Sequence, residues 1–151
     1  MKGTYSIDIE RSREDVFEFL TDPDNLERCV PMLVDHGIID ETPEKVGTTF
    51  WHVYEEKGRR MKMTGVVTHH EPPVRSGVSL DGSAFSLEVL YELEALGPTS
   101  TRLTQHSESR FKHVFKLMGL LFGKKMKCEG EKVQAENFER MKAYLEGEAA
   151  D

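Results

Sequence analysis

The hydrophobic positions of the chain follow two regimes, and the change between them comes near Phe111. Before it, apolar and polar residues alternate with a period of two, the mark of strands with one buried face. Tyr5-Ser6-Ile7-Asp8-Ile9-Glu10 opens the series. In the cleanest run Phe85, Leu87, Val89, Tyr91 and Leu93 alternate with Ser86, Glu88, Leu90, Glu92 and Glu94, so its acidic side faces water. After Phe111 the spacing becomes three and four residues. Val114, Leu117, Met118, Leu121 and Phe122, then Met126, Val133, Phe138, Met141 and Leu145, predict one long helix. Gly119, Gly123 and Gly130 weaken that helix and are expected to bend or interrupt it.

Helix signals also follow the first strand. Ser12 reads as an N-cap with Glu14 and Asp15 in the first turn, and Val16, Phe17, Phe19 and Leu20 supply the apolar side. Thr21-Asp22-Pro23 ends this helix, and Pro23 starts a second short one that Pro31 stops. Further strands are predicted over 32–40, 47–55, 59–71 and 74–80, followed by the 85–94 run. A last strand shows Leu103, Gln105 and Ser107 on one face and Arg102, Thr104 and His106 on the other. The predicted order is β-α-α, six strands, then a long helix.

The hairpin at Lys57-Gly58 has two readings. A two-residue loop places Phe50, His52 and Tyr54 on the face of Met61 and Met63. A three-residue turn with Gly58 as a left-handed bulge places Trp51 and Val53 there instead. The second is preferred because it gathers Trp51, Val53, Met61, Met63 and Val67 on one apolar face. A one-residue slip reverses every assignment.

Composition narrows the class. A chain of 151 residues, 38% hydrophobic and 31% charged, fits one globular domain over 1–151. A formal charge of −7 argues against a nucleic-acid partner, which would need a concentrated basic surface. Residues 1–10 lack a basic start followed by an apolar block, so no secretory leader is expected. The most apolar stretch, 114–122, contains Lys116 and falls short of the roughly 20 residues that span a bilayer, so no stable membrane insertion is expected. Its neighbours Lys112, Lys124 and Lys125 would suit an anionic surface, but solvated lysines on a gripping helix are the favoured reading. Cys29 and Cys128 read as lone thiols, which points to a reducing, cytoplasmic location.

Several local motifs, in this order, resemble the START-like SRPBCC superfamily, and its polyketide cyclase/dehydrase-like branch in particular. They are the opening strand before Arg13-Glu14-Asp15-Val16-Phe17-Glu18-Phe19-Leu20-Thr21-Asp22-Pro23, then Val46-Gly47-Thr48 entering a long strand. Glu71-Pro72-Pro73, Thr101-Arg102-Leu103-Thr104 after a Gly-Pro turn, and the amphipathic tail complete the match over nearly the whole chain. The resemblance implies an α+β helix-grip fold: a curved antiparallel sheet of about seven strands wrapped around a long C-terminal helix, with two short helices after strand 1. It also implies an apolar or aromatic small molecule held between sheet and helix. It carries no catalytic motif.

On that reading the cavity wall comprises Trp51, Val53, Met61, Met63, Val67 and His69 from the central hairpin. Phe85, Leu87, Val89, Tyr91, Leu103 and Gln105 come from the last two strands, and Met118, Leu121, Phe122 and Met126 from the helix. Methionines make adaptable walls. His69 is expected to face inward and His70 outward. His69, Tyr91, Gln105 and Ser107 are the candidates for proton transfer or for holding a ligand oxygen. No metal site or cofactor is expected, since His69 and Glu71 lack a third ligand at recognisable spacing. Three functions remain open: a carrier of a lipid, isoprenoid or polyketide-like aromatic; a cyclase, dehydratase or aromatase; and a chaperone-activator-like interaction domain. Phe50 and Tyr54, outward in the preferred register, would cover a homodimer contact.

Overall fold

The computed structural model describes residues 1–112 and 115–150. Its elements are β1 (Lys2–Ile9), α1 (Arg13–Thr21), α2 (Pro23–Cys29), β2 (Leu33–Asp40), β3 (Thr49–Glu56), β4 (Arg59–Glu71), β5 (Arg75–Asp81), β6 (Phe85–Gly97), β7 (Ser100–Phe111) and α3 (Phe115–Ala150). The seven strands form one curved antiparallel sheet in the order β1-β7-β6-β5-β4-β3-β2. Consecutive hairpins build β2 to β7. The pair α1-α2 carries the chain from one edge strand to the other. With α3 against the concave side, this is the helix-grip architecture that the family resemblance implies.

Capping explains why the short helices start and stop where they do. Ser12 Oγ accepts from the Asp15 amide at 3.2 Å, which satisfies one unpaired donor at the start of α1. Asp22 works at two ends. Its backbone N–H closes α1 on the Phe19 carbonyl, and its carboxylate accepts from the Asp24 amide at 3.0 Å to open α2. Val16, Phe17, Phe19 and Leu20 of α1 then bury against Ile9, Leu93 and Leu103 of the sheet and Phe138, Met141 and Leu145 of α3. Cys29 lies in this core and Cys128 is exposed on α3; both are free thiols.

Three expectations are corrected here. Glu56 pairs with Arg59, leaving a two-residue Lys57-Gly58 loop with φ of 52° and 77°. Both loop residues are left-handed, as in a type I′ turn, whose twist matches that of its strands. Phe50, His52 and Tyr54 therefore share the concave face with Met61 and Met63, while Trp51 and Val53 face outward. Second, β4 carries a bulge between Val67 and His69, so His70 turns inward and His69 turns out. Third, α3 runs through Gly119, Gly123 and Gly130 without interruption. Val114, expected within this helix, lies outside the described residues.

Candidate functional site

Residues paired across neighbouring strands share a face of the sheet. The register therefore writes out the concave floor in rows. Ile7, Leu103 and Leu93 form one row, and it is sealed by α1 and the C-terminal half of α3. The next row reads Tyr5, Gln105, Tyr91, Ser76 and His70. Beyond it come Gly3, Ser107, Val89, Val78 and Val67, then Ser109, Leu87, Leu80, Gly65 and Phe50. The far end of the floor is a second apolar cluster, where Tyr54, Met61, Val67, Val78, Phe85 and Leu87 pack around Phe50, Met63 and Leu80.

The helix does not close evenly over these rows. Phe138, Met141 and Leu145 are buried, whereas residues 115–133 are all exposed or half-buried. Between the two regimes Gln134 Nε2 donates to Gln105 Oε1 at 2.6 Å. N-terminal to that bond a cleft of about 440 Å³ opens between β1, β7 and α3. Gly3, Tyr5, Gln105 and Ser107 line its floor, and Met126, Gly130 and Gln134 line its roof. Space exists there because glycine and serine side chains leave it unfilled. A separate hollow of about 400 Å³ lies on the convex side, where it includes the outward-facing Thr4, His69, Leu90 and His106; charged side chains border both spaces, Lys2, Glu88 and Glu108 here and Lys2, Lys127 and Glu131 at the cleft.

Three polar groups of the concave face are held neutral. His52 is only 8% exposed, and its Nδ1 lies 3.0 Å from Tyr54 Oη, a hydrogen bond in which either ring can donate. Burial, with a further contribution from His36, lowers the His52 pKa to about 4. Burial raises Tyr54 to about 12, and Tyr91 is pushed up by burial and then by Tyr54. These three groups therefore offer hydrogen bonds without charge at neutral pH. At the rim, His36 Nε2 lies 3.0 Å from Glu27 and 3.4 Å from Asp24. Asp24, Glu27 and His36 bring three donor atoms within 4.8 Å of one another, a spacing that suits a cation, and both carboxylates approach the same imidazole nitrogen.

The sequence-predicted site residues divide accordingly. Met61, Met63, Val67, Phe85 and Leu87 assemble in the second apolar cluster, with Val89 in the adjacent row. Gln105, Ser107 and Met126 border the cleft, and Tyr91 stands beside Gln105. Leu103 belongs to the sealed core. Trp51 and Val53 lie on the convex face, where the indole covers Gly37 and Lys62 Nζ sits 5.5 Å from the ring centre. His69 is exposed and bonded to Thr68, and His70 takes the inward position with its ring 5.5 Å from that of Phe17. Met118, Leu121 and Phe122 are exposed on α3 rather than turned to the sheet. Reasoning from pattern missed His52, Tyr54, His70 and Gln134. The signal for the first two lay in the glycines, because Phe50 pairs with Gly65 and Trp51 opposes Gly37.

Comparison with solved structures places this fold among known ones. A Thermus thermophilus protein, TTHA0849, superposes with a TM-score of 0.81 at 11% identity, covering 97% of this chain and 98% of that one. The Zhui aromatase/cyclase from Streptomyces sp. R1128 gives 0.78 at 12% identity over 97% and 93% of the two chains. A START superfamily protein from Mycobacterium smegmatis gives 0.66 at 18% identity over 89% and 97%. At such identities these likenesses speak for the fold alone. No curated protein sequence matches. The family described as polyketide cyclase / dehydrase and lipid transport matches residues 1–146, nearly the whole chain, and the protein belongs to that family.

Proposed function

We infer that the protein binds and carries an uncharged hydrophobic small molecule, of lipid, isoprenoid or polyketide-like aromatic type, in the cleft between the sheet and α3. The observation that carries this reading is the concave floor itself. Rows of valine, leucine, methionine and phenylalanine continue from the cleft, interrupted by hydrogen-bonding groups that are neutral at physiological pH. Burial of an apolar ligand there contributes roughly 25 cal/mol per Å² removed from water. Gln105 and Ser107 would fix the orientation of a carbonyl or hydroxyl.

A cyclase or dehydratase in the same cleft would work best with a group that exchanges protons near neutral pH. The cleft floor offers Gln105 and Ser107, an amide and a hydroxyl that do not titrate in that range, which favours carriage over turnover. Native mass spectrometry of gently purified protein tests the reading. A retained apolar ligand, displaced by an added fatty acid or aromatic probe that raises the melting temperature, is the expected result. Protein that retains nothing and gains no stability from any such probe would sink it.

A further inference from the structure

The first three turns of α3 expose far more apolar surface than a gripping helix needs to. Leu120 is 82% exposed, Leu121 66%, Leu117 57% and Phe122 54%. Leu117 and Leu121, like Met118 and Phe122, stand four residues apart and so stack along the side turned from the sheet. The less exposed positions of the same turns are Gly119, Gly123 and Met126. A large contiguous apolar surface of this kind marks an interaction site.

Charge identifies the partner. Between residues 112 and 128 the chain has five lysines and no acidic residue, inside a protein of net charge −7. Lys112 is paired with Asp81, while Lys116, Lys124, Lys125 and Lys127 make no ion pair among the described residues. Three of these follow the apolar turns by one helical turn. The surface they fit is therefore apolar at one depth and anionic just above it. No helix among the described residues is long and apolar enough to cross a membrane, so the contact is peripheral.

We propose that residues 115–127 dock the protein on an anionic lipid bilayer. Leu117, Leu120, Leu121 and Phe122 enter the boundary between headgroups and acyl chains, about 5–10 Å deep, and Lys124, Lys125 and Lys127 meet the headgroups. Met126 and Lys127 also line the cleft, so the docked helix is itself one wall of the cleft. Docking does not depend on what the cleft carries.

Co-sedimentation of the full chain with vesicles tests this. The chain is expected to partition onto equal mixtures of phosphatidylcholine and phosphatidylglycerol about tenfold or more tightly than onto phosphatidylcholine alone, with the difference shrinking as salt is added. The double variants Leu117→Asp/Leu121→Asp and Lys124→Glu/Lys125→Glu should each weaken binding by about tenfold or more, with unfolding midpoints retained because all four side chains are exposed. Equal partitioning onto both vesicles, or unaltered binding by the variants, overturns the proposal. So does an absence of vesicle binding together with a dimer that Leu117→Asp/Leu121→Asp dissociates, which would make a second copy the partner of this face.

Discussion

Gln134 on α3 donates to Gln105 on β7 across 2.6 Å, and at that bond the helix changes from packed to open. Towards the C-terminus Phe138, Met141 and Leu145 are buried, and Arg11 reaches the Leu145 carbonyl at 2.7 Å. Towards the N-terminus the close approach is Gly119 against the Phe111 ring.

The Gln105 side chain is buried, so Gln134→Leu leaves its carbonyl oxygen without this donor. The expected loss of stability is about 1–3 kcal/mol. More telling is where the protein loosens. Amide exchange should accelerate across residues 115–133 and remain slow across 138–145. Uniform acceleration along α3 would mean that Gln134 does not mark the boundary.

The glycines of α3 offer a second test. A Cβ at Gly123 or Gly130 meets nothing within 4 Å, so Gly123→Ala and Gly130→Ala should each raise stability by about 0.5–1 kcal/mol through helix propensity alone. At Gly119 the same atom would come within 2.9 Å of Phe111, so Gly119→Ala should gain less or lose. Gly130→Phe projects a ring where the cleft now opens. It should abolish binding of an apolar probe while the melting temperature holds. Undiminished probe binding would move the ligand elsewhere.

The central hairpin supplies a third. An added Cβ at Gly65 would fall 2.3 Å from the Phe50 ring and 2.8 Å from Leu80. Gly65→Ala should therefore destabilise by about 1–3 kcal/mol through overpacking. Gly97→Ala, with nothing within 4 Å, is the control and should be close to neutral in urea unfolding. Equal effects at the two sites would contradict the register that pairs Phe50 with Gly65.

These glycines also explain what the sequence could and could not disclose. Periodicity located all seven strands, because alternation is a local property that needs no partner. The face of each residue is not local. Counting apolar residues favoured Trp51 and Val53 inside, yet Trp51 covers Gly37 outside and Phe50 covers Gly65 inside. A ring laid over a bare glycine backbone outweighs a tally of hydrophobicity. The exchange of His69 for His70 has a similar origin, since one extra residue at the β4 bulge reverses the alternation without altering composition. The exposure of Leu117, Leu120 and Leu121 was illegible for a different reason. Helical spacing reports which residues share a face, but not whether anything covers it.

The last prediction concerns acid. In the folded protein burial, aided by His36, lowers the His52 pKa from 6.5 to about 4. Between those values the unfolded chain binds a proton at this side chain that the folded chain refuses. The stabilisation is thus complete above about pH 6.5, declines as the pH falls toward 4, and changes no further below that. Its full size is at most about 3.5 kcal/mol, since each tenfold change in proton affinity corresponds to roughly 1.4 kcal/mol. His52→Leu removes the titrating group, so its urea midpoint should fall less steeply than the parent's between pH 6.5 and 4. Identical slopes in the two proteins would mean that His52 is solvated rather than held neutral by burial.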